Sequence, residues 1–184
     1  MRIGEGIIYK DLKWAKMKFS GKDFEQSVYD RLSKIYKNLD FSIATEDKDF
    51  FLGIDLYLKG TYAVDITVDN PKKRKDNNNN NKKCCCSQRF RYNDSVSVCY
   101  RYGNGKIRFP SPVLVVEFKK AYIYSNVRDA AIAACADLAQ LYQDLDKVCN
   151  ALDSKAIEPE ESKNLPPYDG VKKIFWDGSK FYGF

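Results

Sequence analysis

The stretch that most constrains the fold is residues 51–69, FLGIDLYLKGTYAVDITVD. Apolar residues alternate with other residues on both sides of Lys59, Gly60 and Thr61. A period of two is typical of strands, so the stretch predicts a β-hairpin. Its apolar residues share one face, which therefore covers a core: Ile54, Leu56 and Leu58 on the first arm, and Val64, Ile66 and Val68 on the second.

The register of this hairpin decides whether its two aspartates meet. A turn centred on Gly60 places Asp55 opposite Asp65, with Cβ atoms roughly 5 Å apart. A two-residue turn would pair Asp55 with Val64 instead and put the acids on opposite faces. The first register is favoured because it keeps both apolar sets on one face. Two carboxylates that close repel unless a proton or cation lies between them, and Mg²⁺ commonly binds one or two carboxylates together with phosphate oxygens.

Solvated acids on the wet face of an exposed hairpin remain the alternative interpretation. The strongly apolar opposite face favours a cleft, since a hairpin of this kind covers a core.

Composition limits the chemistry available to the chain. The 184 residues, 44% of them hydrophobic, predict a single packed domain spanning 1–184. Histidine is absent, which excludes Ser-His-Asp, Cys-His and histidine–metal chemistry. The six cysteines lack the paired spacing of a zinc site, so we expect reduced thiols. The sequence has neither a membrane-length apolar run nor a signal-peptide core, which predicts a cytoplasmic or nuclear protein that is not secreted.

The net charge of +6 permits nucleic-acid binding without requiring it. Much of the excess lies in residues 71–87, a basic, asparagine-rich, low-complexity loop whose cations either contact phosphate or keep the loop soluble. A second hairpin then turns at residues 103–105 and interleaves arginines with aromatic side chains, a mixture that suits a phosphate backbone or a solvated strand face. The candidate nucleic-acid-binding residues are Lys72, Lys73, Arg74, Lys75, Arg89, Arg91 and Arg101.

Two helices are predicted around these strands. The first spans residues 20–37, with Ser20 as its N-cap and an apolar stripe that includes Ile35. Glu25 lies on the flank of that stripe, either as an acid favoured by the helix dipole or as a third acid directed at the hairpin. The second and longest helix spans residues 125–152.

The remaining segments complete a mixed architecture. Residues 39–45 predict a strand and residues 46–49 an acidic turn. Residues 112–120 predict a central strand on which Glu117 and Lys119 share a face, either as an ion pair or as a carboxylate ligand beside a lysine. Residues 158–167 read as a polar linker, and residues 170–184 predict a last hairpin.

The order of elements and three short motifs resemble the PD-(D/E)xK nuclease superfamily. GKDFEQSVYDRL (residues 21–32) is similar to its first helix, with Glu25 as the acid. GID (53–55) resembles the first catalytic aspartate at a strand end, and VDIT (64–67) resembles the (D/E)xK strand, with Thr67 in the lysine position. The resemblance implies an α/β (α+β) class with a restriction-endonuclease-like αβββαβ core. A mixed central sheet is flanked by helices, and the second hairpin and basic loop are insertions.

The resemblance also implies a metal-dependent nuclease that hydrolyses phosphodiester bonds, with DNA as the expected substrate. Asp55, Asp65 and Glu25 would hold Mg²⁺ or Mn²⁺, and Lys119 would replace the lysine absent at Thr67. A second alignment takes residues 117–119, Glu-Phe-Lys, as the (D/E)xK motif, which keeps Asp65 and adds Glu117 to the metal ligands.

The other functional interpretation is a catalytically inactive nuclease-fold protein that acts as a nucleic-acid-binding or assembly module. A homodimer is compatible with double-strand cleavage, and no membrane partner is expected.

Overall fold

The computed structural model describes residues 18–69, 85–168, 174–176 and 181–183. The helices in these ranges are α1 (Gly21–Ile35), α2 (Glu46–Leu52), α3 (Val127–Lys155) and α4 (Glu160–Lys163), with a 3₁₀ turn at Ala121–Ile123. The strands are β1 (Phe41–Ile43), β2 (Leu56–Leu58), β3 (Tyr62–Val68), β4 (Cys85–Cys86), β5 (Phe90–Arg91), β6 (Val96–Gly103), β7 (Arg108–Phe118), β8 (Ile174–Trp176) and β9 (Phe181–Gly183).

Seven of these strands form one mixed sheet, which confirms the α+β class. Its order is β1-β2-β3-β7-β6-β4, and β5 also pairs with β6. Strands β3 and β7 are parallel, whereas the other pairings described in this sheet are antiparallel. β7 therefore lies in the interior of the sheet, as its apolar sequence predicts. β8 and β9 pair antiparallel in a second, two-stranded sheet, as the last predicted hairpin requires.

The larger core lies between one face of the sheet and helices α1 and α3. Ser20 caps α1, because its Oγ accepts the N–H of Asp23 at 3.1 Å. Helical spacing then directs Phe24, Val28 and Leu32 into the core. The apolar stripe of α3 packs into the same core along the whole helix: Ala130, Ala131, Ala134, Cys135, Leu138, Leu141, Leu145, Cys149 and Leu152.

Tyrosines of the sheet and aspartates of α3 hold the long helix in place. Tyr92 Oη donates to Asp144 at 2.6 Å, and Tyr100 Oη donates to Asp153 at 2.8 Å. Tyr62 makes the equivalent contact with Asp146. Each bond gives a polar group at the helix–sheet boundary a partner, so these contacts fix where α3 lies on the sheet.

The opposite face of the sheet has a smaller apolar cluster beside its polar residues. Helix α2 and the chain after it supply Phe51, Leu52 and Ile54, and β7 supplies Phe109 and Val113. The alternation of β3 places Asp65 and Thr67 on this opposite face, because Val64 and Ile66 point into the larger core.

Helix α2 was not predicted, and it changes the hairpin. Residues 46–49 begin a helix, and Gly53 ends it in the left-handed conformation at φ 65°. The first hairpin arm consequently begins at Leu56, and Ile54 packs in the smaller cluster rather than on the predicted common face. Seven residues make two helical turns, too few for a 3.6-residue period to be distinguished from a strand end.

Three other predictions need correction. Ile35, the last residue of α1, is 59% exposed and does not belong to the apolar stripe. The predicted linker at residues 158–167 contains the short helix α4. The second arm of the arginine hairpin and the central strand are one strand, β7.

β7 tolerates prolines at residues 110 and 112 because the β6–β7 ladder is irregular there. Arg101 pairs with Val113, whereas Gly103 pairs with Arg108, so several residues of β7 bulge out of the ladder. A bulged residue needs no inter-strand N–H, which is the donor that proline lacks.

Within the described residues, no helix combines the length and the apolar character needed to cross a membrane.

Candidate functional site

The hairpin register brings Asp55 and Asp65 together. β2 and β3 pair Leu56 with Val64 and Leu58 with Tyr62, which centres the turn on Gly60. Gly60 has φ 74°, a left-handed conformation that suits glycine. One step beyond Leu56 and Val64, Asp55 therefore lies opposite Asp65, as the favoured register predicts.

Asp55 is a buried acid with two kinds of hydrogen bond. Its side chain accepts the backbone N–H of Ile66 at 2.7 Å and hydrogen bonds to Asp65. Burial raises the pKa of the Asp55 carboxyl far above its ordinary range, and the charges of Asp65 and Glu25 raise it further, against the opposing effect of the Ile66 N–H. The environment of Asp55 therefore favours the protonated form of its carboxyl group.

Glu25 extends the acidic group from the sheet to α1. Its pKa is raised from 4.5 to about 7, first by burial and then by the charges of Asp49 and Asp65. The helix therefore presents an acid toward the hairpin, which favours the second of the two roles predicted for Glu25. A carboxyl group with a pKa near neutrality is able to accept or release a proton at physiological pH.

Sequence reasoning missed two residues near these acids. Asp49 lies in α2, where its charge raises the pKa of Glu25. Tyr29 lies one helical turn after Glu25, and its pKa is raised by burial and then by the charge of Asp55. The i, i+4 spacing of Glu25 and Tyr29 was a signal for Tyr29, since residues at that spacing share a helix face.

Among the described residues, Arg101 brings a cationic side chain into contact with Asp65. Its Nη1 lies 2.5 Å from Asp65 Oδ2, and the side chains of Arg101 and Asp65 are 20% and 13% exposed. A Cβ placed on Gly53 would lie 3.0 Å from the same Nη1. The guanidinium group thus passes over the backbone of the GID motif to reach Asp65.

The structure gives Glu117 an ion-pair partner of its own and places Lys119 away from the aspartate pair. Glu117 is opposite Thr67 in the parallel ladder and forms an ion pair with Arg89, with 2.7 Å between Nη1 and Oε2. Lys119 follows the end of β7 and lies four residues beyond Val115, the partner of Asp65. That separation is about 13 Å along the strand direction. Glu117 therefore has an ion-pair partner, but the partner is Arg89 rather than Lys119.

Three of the seven predicted nucleic-acid-binding residues lie within the described ranges. Lys72, Lys73, Arg74 and Lys75 lie outside the described residues. Arg89, Arg91 and Arg101 form ion pairs with Glu117, Asp94 and Asp65, respectively. Each of these arginines therefore already contacts a carboxylate of its own chain.

The donor set fits a hard divalent cation that has few protein ligands. In the ranges that the structure describes, no three acidic or cysteine side chains are grouped so that they could hold a metal ion. Asp55 and Asp65 nevertheless offer carboxylate oxygens side by side. Mg²⁺ commonly takes one or two carboxylates and completes its coordination with substrate phosphate and water. The pair fits this kind of site and does not fit one built from protein ligands alone.

Comparison of the chain with protein-family models, curated proteins and solved structures finds no match. The resemblance to PD-(D/E)xK nucleases consequently depends on the motifs around Glu25, Asp55 and Asp65 and on the hairpin that joins the two aspartates.

Proposed function

We propose that this protein is a metal-dependent nuclease of the PD-(D/E)xK type that hydrolyses phosphodiester bonds in DNA. One observation supports this proposal above the others: the buried Asp55 is hydrogen bonded to Asp65, and Glu25 is close enough to raise the pKa of Asp55. A buried acid whose pKa is raised by neighbouring acids is typical of functional sites, because packing alone does not favour like charges.

Asp55 and Asp65 would hold Mg²⁺ or Mn²⁺. When bound, the ion neutralises charge on a phosphate and makes a water molecule a stronger nucleophile. Asp55 releases its proton on binding, since two ionised carboxylates are tolerated once positive charge is added. Glu25 accepts a proton from water, because its pKa of about 7 leaves a large ionised fraction at neutral pH.

The inactive, nucleic-acid-binding alternative has support of its own. Thr67 occupies the position of the family's lysine and carries no charge. The Oδ2 atom of Asp65 is already in an ion pair with Arg101. A protein of this kind would bind nucleic acid equally well in EDTA and in Mn²⁺, and it would leave the substrate intact.

Isothermal titration of Mn²⁺ into the wild-type protein and Asp65→Asn, with and without a short DNA duplex, tests the proposal. We expect Mn²⁺ to bind the wild-type protein more tightly when DNA is present. We also expect binding to release a proton, so the measured heat of binding should change with the buffer. Supercoiled plasmid and single-stranded DNA are then incubated with both proteins. Asp65→Asn should lose metal binding and cleavage together, by about 100-fold or more, since residues that only orient metal ligands already cost about 10–100-fold in metal affinity or activity.

Asp94→Asn is the matched control, because Asp94 also pairs with an arginine but does so at an exposed position, with 72% of its side chain accessible. This variant should bind Mn²⁺ and cleave DNA as the wild type does. A wild-type protein that neither binds Mn²⁺ nor cleaves DNA in the presence of the metal would overturn the nuclease proposal.

A further inference from the structure

The position of Arg101 depends on three strands of the sheet. Arg101 lies on β6, Asp65 lies on β3, and β7 separates them with Val113 and Val115 as their respective partners. Two strand spacings are about 10 Å, so only a long side chain bridges them. The guanidinium group completes that distance and reaches Asp65 Oδ2 at 2.5 Å.

The backbone at Gly53 makes room for this guanidinium group. Gly53 has φ 65°, and its missing Cβ would lie 3.0 Å from Arg101 Nη1. Gly53 also lies two residues before Asp55 in the chain. The positive charge is consequently held beside both arms of the hairpin that carries the two aspartates.

The acids around Asp55 and Asp65 require a compensating positive charge. Asp55 lies beside Asp65, and the charges of Asp65 and Glu25 both raise its pKa. Thr67 has no charge, and Lys119 lies about 13 Å farther along the strand direction. Lys22 lowers the pKa of Glu25 but is itself exposed at the start of α1. Arg101 is thus the cation whose ion pair with Asp65 the structure records.

We propose that Arg101 is a catalytic residue that contacts the scissile phosphate and supplies the positive charge that Thr67 does not; this inference rests on the proposed nuclease function. A guanidinium group binds phosphate oxygens through a planar fork of N–H donors and remains charged at every relevant pH. Held against Asp65, it is oriented before the substrate arrives, which lowers the cost of stabilising charge in the transition state.

The reaction that Arg101 would assist adds one water molecule across a phosphodiester. The water oxygen forms a bond to phosphorus, and the bond between phosphorus and one sugar oxygen breaks. One proton of the water ends on the departing sugar oxygen, and the other passes to Glu25 or to solvent. Negative charge accumulates on the phosphate oxygens during this exchange, and Arg101 stabilises it there.

Arg101→Gln, Arg101→Lys and the control Arg108→Gln test the assignment. Arg108 is also an arginine of this sheet in an ion pair, with Nε 2.8 Å from Glu158 Oε1, but it lies seven residues from Val115 on β7. We expect Arg101→Gln to cleave plasmid about 10²–10³-fold more slowly than the wild type. Arg101→Lys should recover part of that loss, and Arg108→Gln should cleave normally.

Two binding measurements distinguish a catalytic role from a structural one. Mn²⁺ should bind Arg101→Gln at least as tightly as it binds the wild type, because a competing cation has left Asp65. The slope of log K against log salt for duplex DNA in Mn²⁺ should become less negative by about 0.9, the value for one lost phosphate contact. Melting followed by circular dichroism confirms that each variant is folded.

The outcomes separate the two proposals. Normal cleavage by Arg101→Gln, or an unchanged salt slope, would overturn the role of Arg101 while leaving the nuclease function intact. If Arg101→Gln is unfolded, the test depends on Arg101→Lys. A folded Arg101→Lys protein that cleaves several-fold more slowly than the wild type supports the role of Arg101. Cleavage and a salt slope equal to those of the wild type overturn it. A wild type without Mn²⁺ binding or cleavage would overturn the proposed function and this inference with it.

Discussion

Two carboxyl groups on the sheet, Asp55 and Glu117, are equally buried yet lie in opposite charge environments. Each is 6% exposed. Glu117 faces the guanidinium group of Arg89 at 2.7 Å. Asp55 faces a second aspartate, Asp65, and feels the charge of Glu25. One site is a carboxylate balanced by a cation, and the other is a group of acids with more negative charge than Arg101 alone offsets.

This difference shows that burial alone does not identify a functional acid. A buried carboxylate paired with a cation has its charge compensated within the chain, as Glu117 has. Asp65 is paired with Arg101, and burial together with the charge of Asp65 raises the pKa of Asp55, which favours its protonated form. A proton on Asp55 is exchanged for a metal ion without breaking an ion pair, whereas the charge of Glu117 is already balanced by Arg89.

The largest expected effect comes from comparing Asp55→Asn with Glu117→Gln. Asp55→Asn removes a proposed metal ligand, so Mn²⁺ binding and plasmid cleavage should fall by about 100-fold or more. Glu117→Gln removes only the acid of a paired site, and its cleavage should remain within several-fold of the wild type. Titration calorimetry and a plasmid assay on both variants measure the contrast.

The reverse result would select the other alignment of the motif. If Glu117→Gln abolished cleavage and Asp55→Asn did not, residues 117–119 would be the (D/E)xK motif and Lys119 its lysine. The Arg89–Glu117 ion pair would then have to open for catalysis. Equal loss in both variants would remove the distinction between the two carboxyl groups.

The sequence alone predicts the acidic residues of the site. Asp55 and Asp65 lie on adjacent strands joined by a short turn, so a period of two and the position of Gly60 determine their pairing. Glu25 followed from helical spacing and a resemblance. The residues involved are close in the sequence, so the spacing of apolar residues predicts their positions directly.

The rest of the site depends on contacts that no local pattern records. Arg101 reaches Asp65 only because β7 lies between β6 and β3. The order of strands follows from packing of the whole chain, and in the sequence Arg101 is one of several arginines interleaved with aromatic residues. Asp49 was missed for a related reason, since the helix that presents it is too short to show a clear period.

The stability of the metal-free protein should depend on pH. Folded protein holds protons on Asp55 and Glu25 more tightly than the unfolded chain does, so these groups favour the folded state at low pH. That contribution is fully present below the unfolded pKa values and is lost as pH rises through the folded ones, which for Glu25 means from 4.5 to about 7. The metal-free protein should therefore become less stable as pH rises through neutrality.

Urea denaturation in EDTA at a series of pH values measures this trend. Asp55→Asn should show a shallower decline and should exceed the wild type in stability above neutral pH, because the amide keeps hydrogen-bonding groups beside Asp65 without adding charge. Glu117→Gln should keep the decline of the wild type. A wild-type stability that is flat or rises over this range would contradict the proposed excess of negative charge.

The smallest expected effect comes from comparing Gly53, whose backbone lies against Arg101, with Gly21, which has no such neighbour. Gly53→Ala forces a side chain onto φ 65°, which should lower the free energy of unfolding by about 1 kcal/mol. Its Cβ would also displace the tip of Arg101 from 3.0 Å, so cleavage should fall several-fold in the same variant. Gly21→Ala is the matched control, since a Cβ on Gly21 would meet no atom within 4 Å and alanine is favoured in a helix. Urea denaturation and the plasmid assay on both variants test this pair. A stability loss without a change in cleavage would mean that the guanidinium group reaches its working position without the space that Gly53 leaves. The Asp55–Asp65 pair alone, and not the position of Arg101 beside it, would then distinguish this site from the Arg89–Glu117 ion pair.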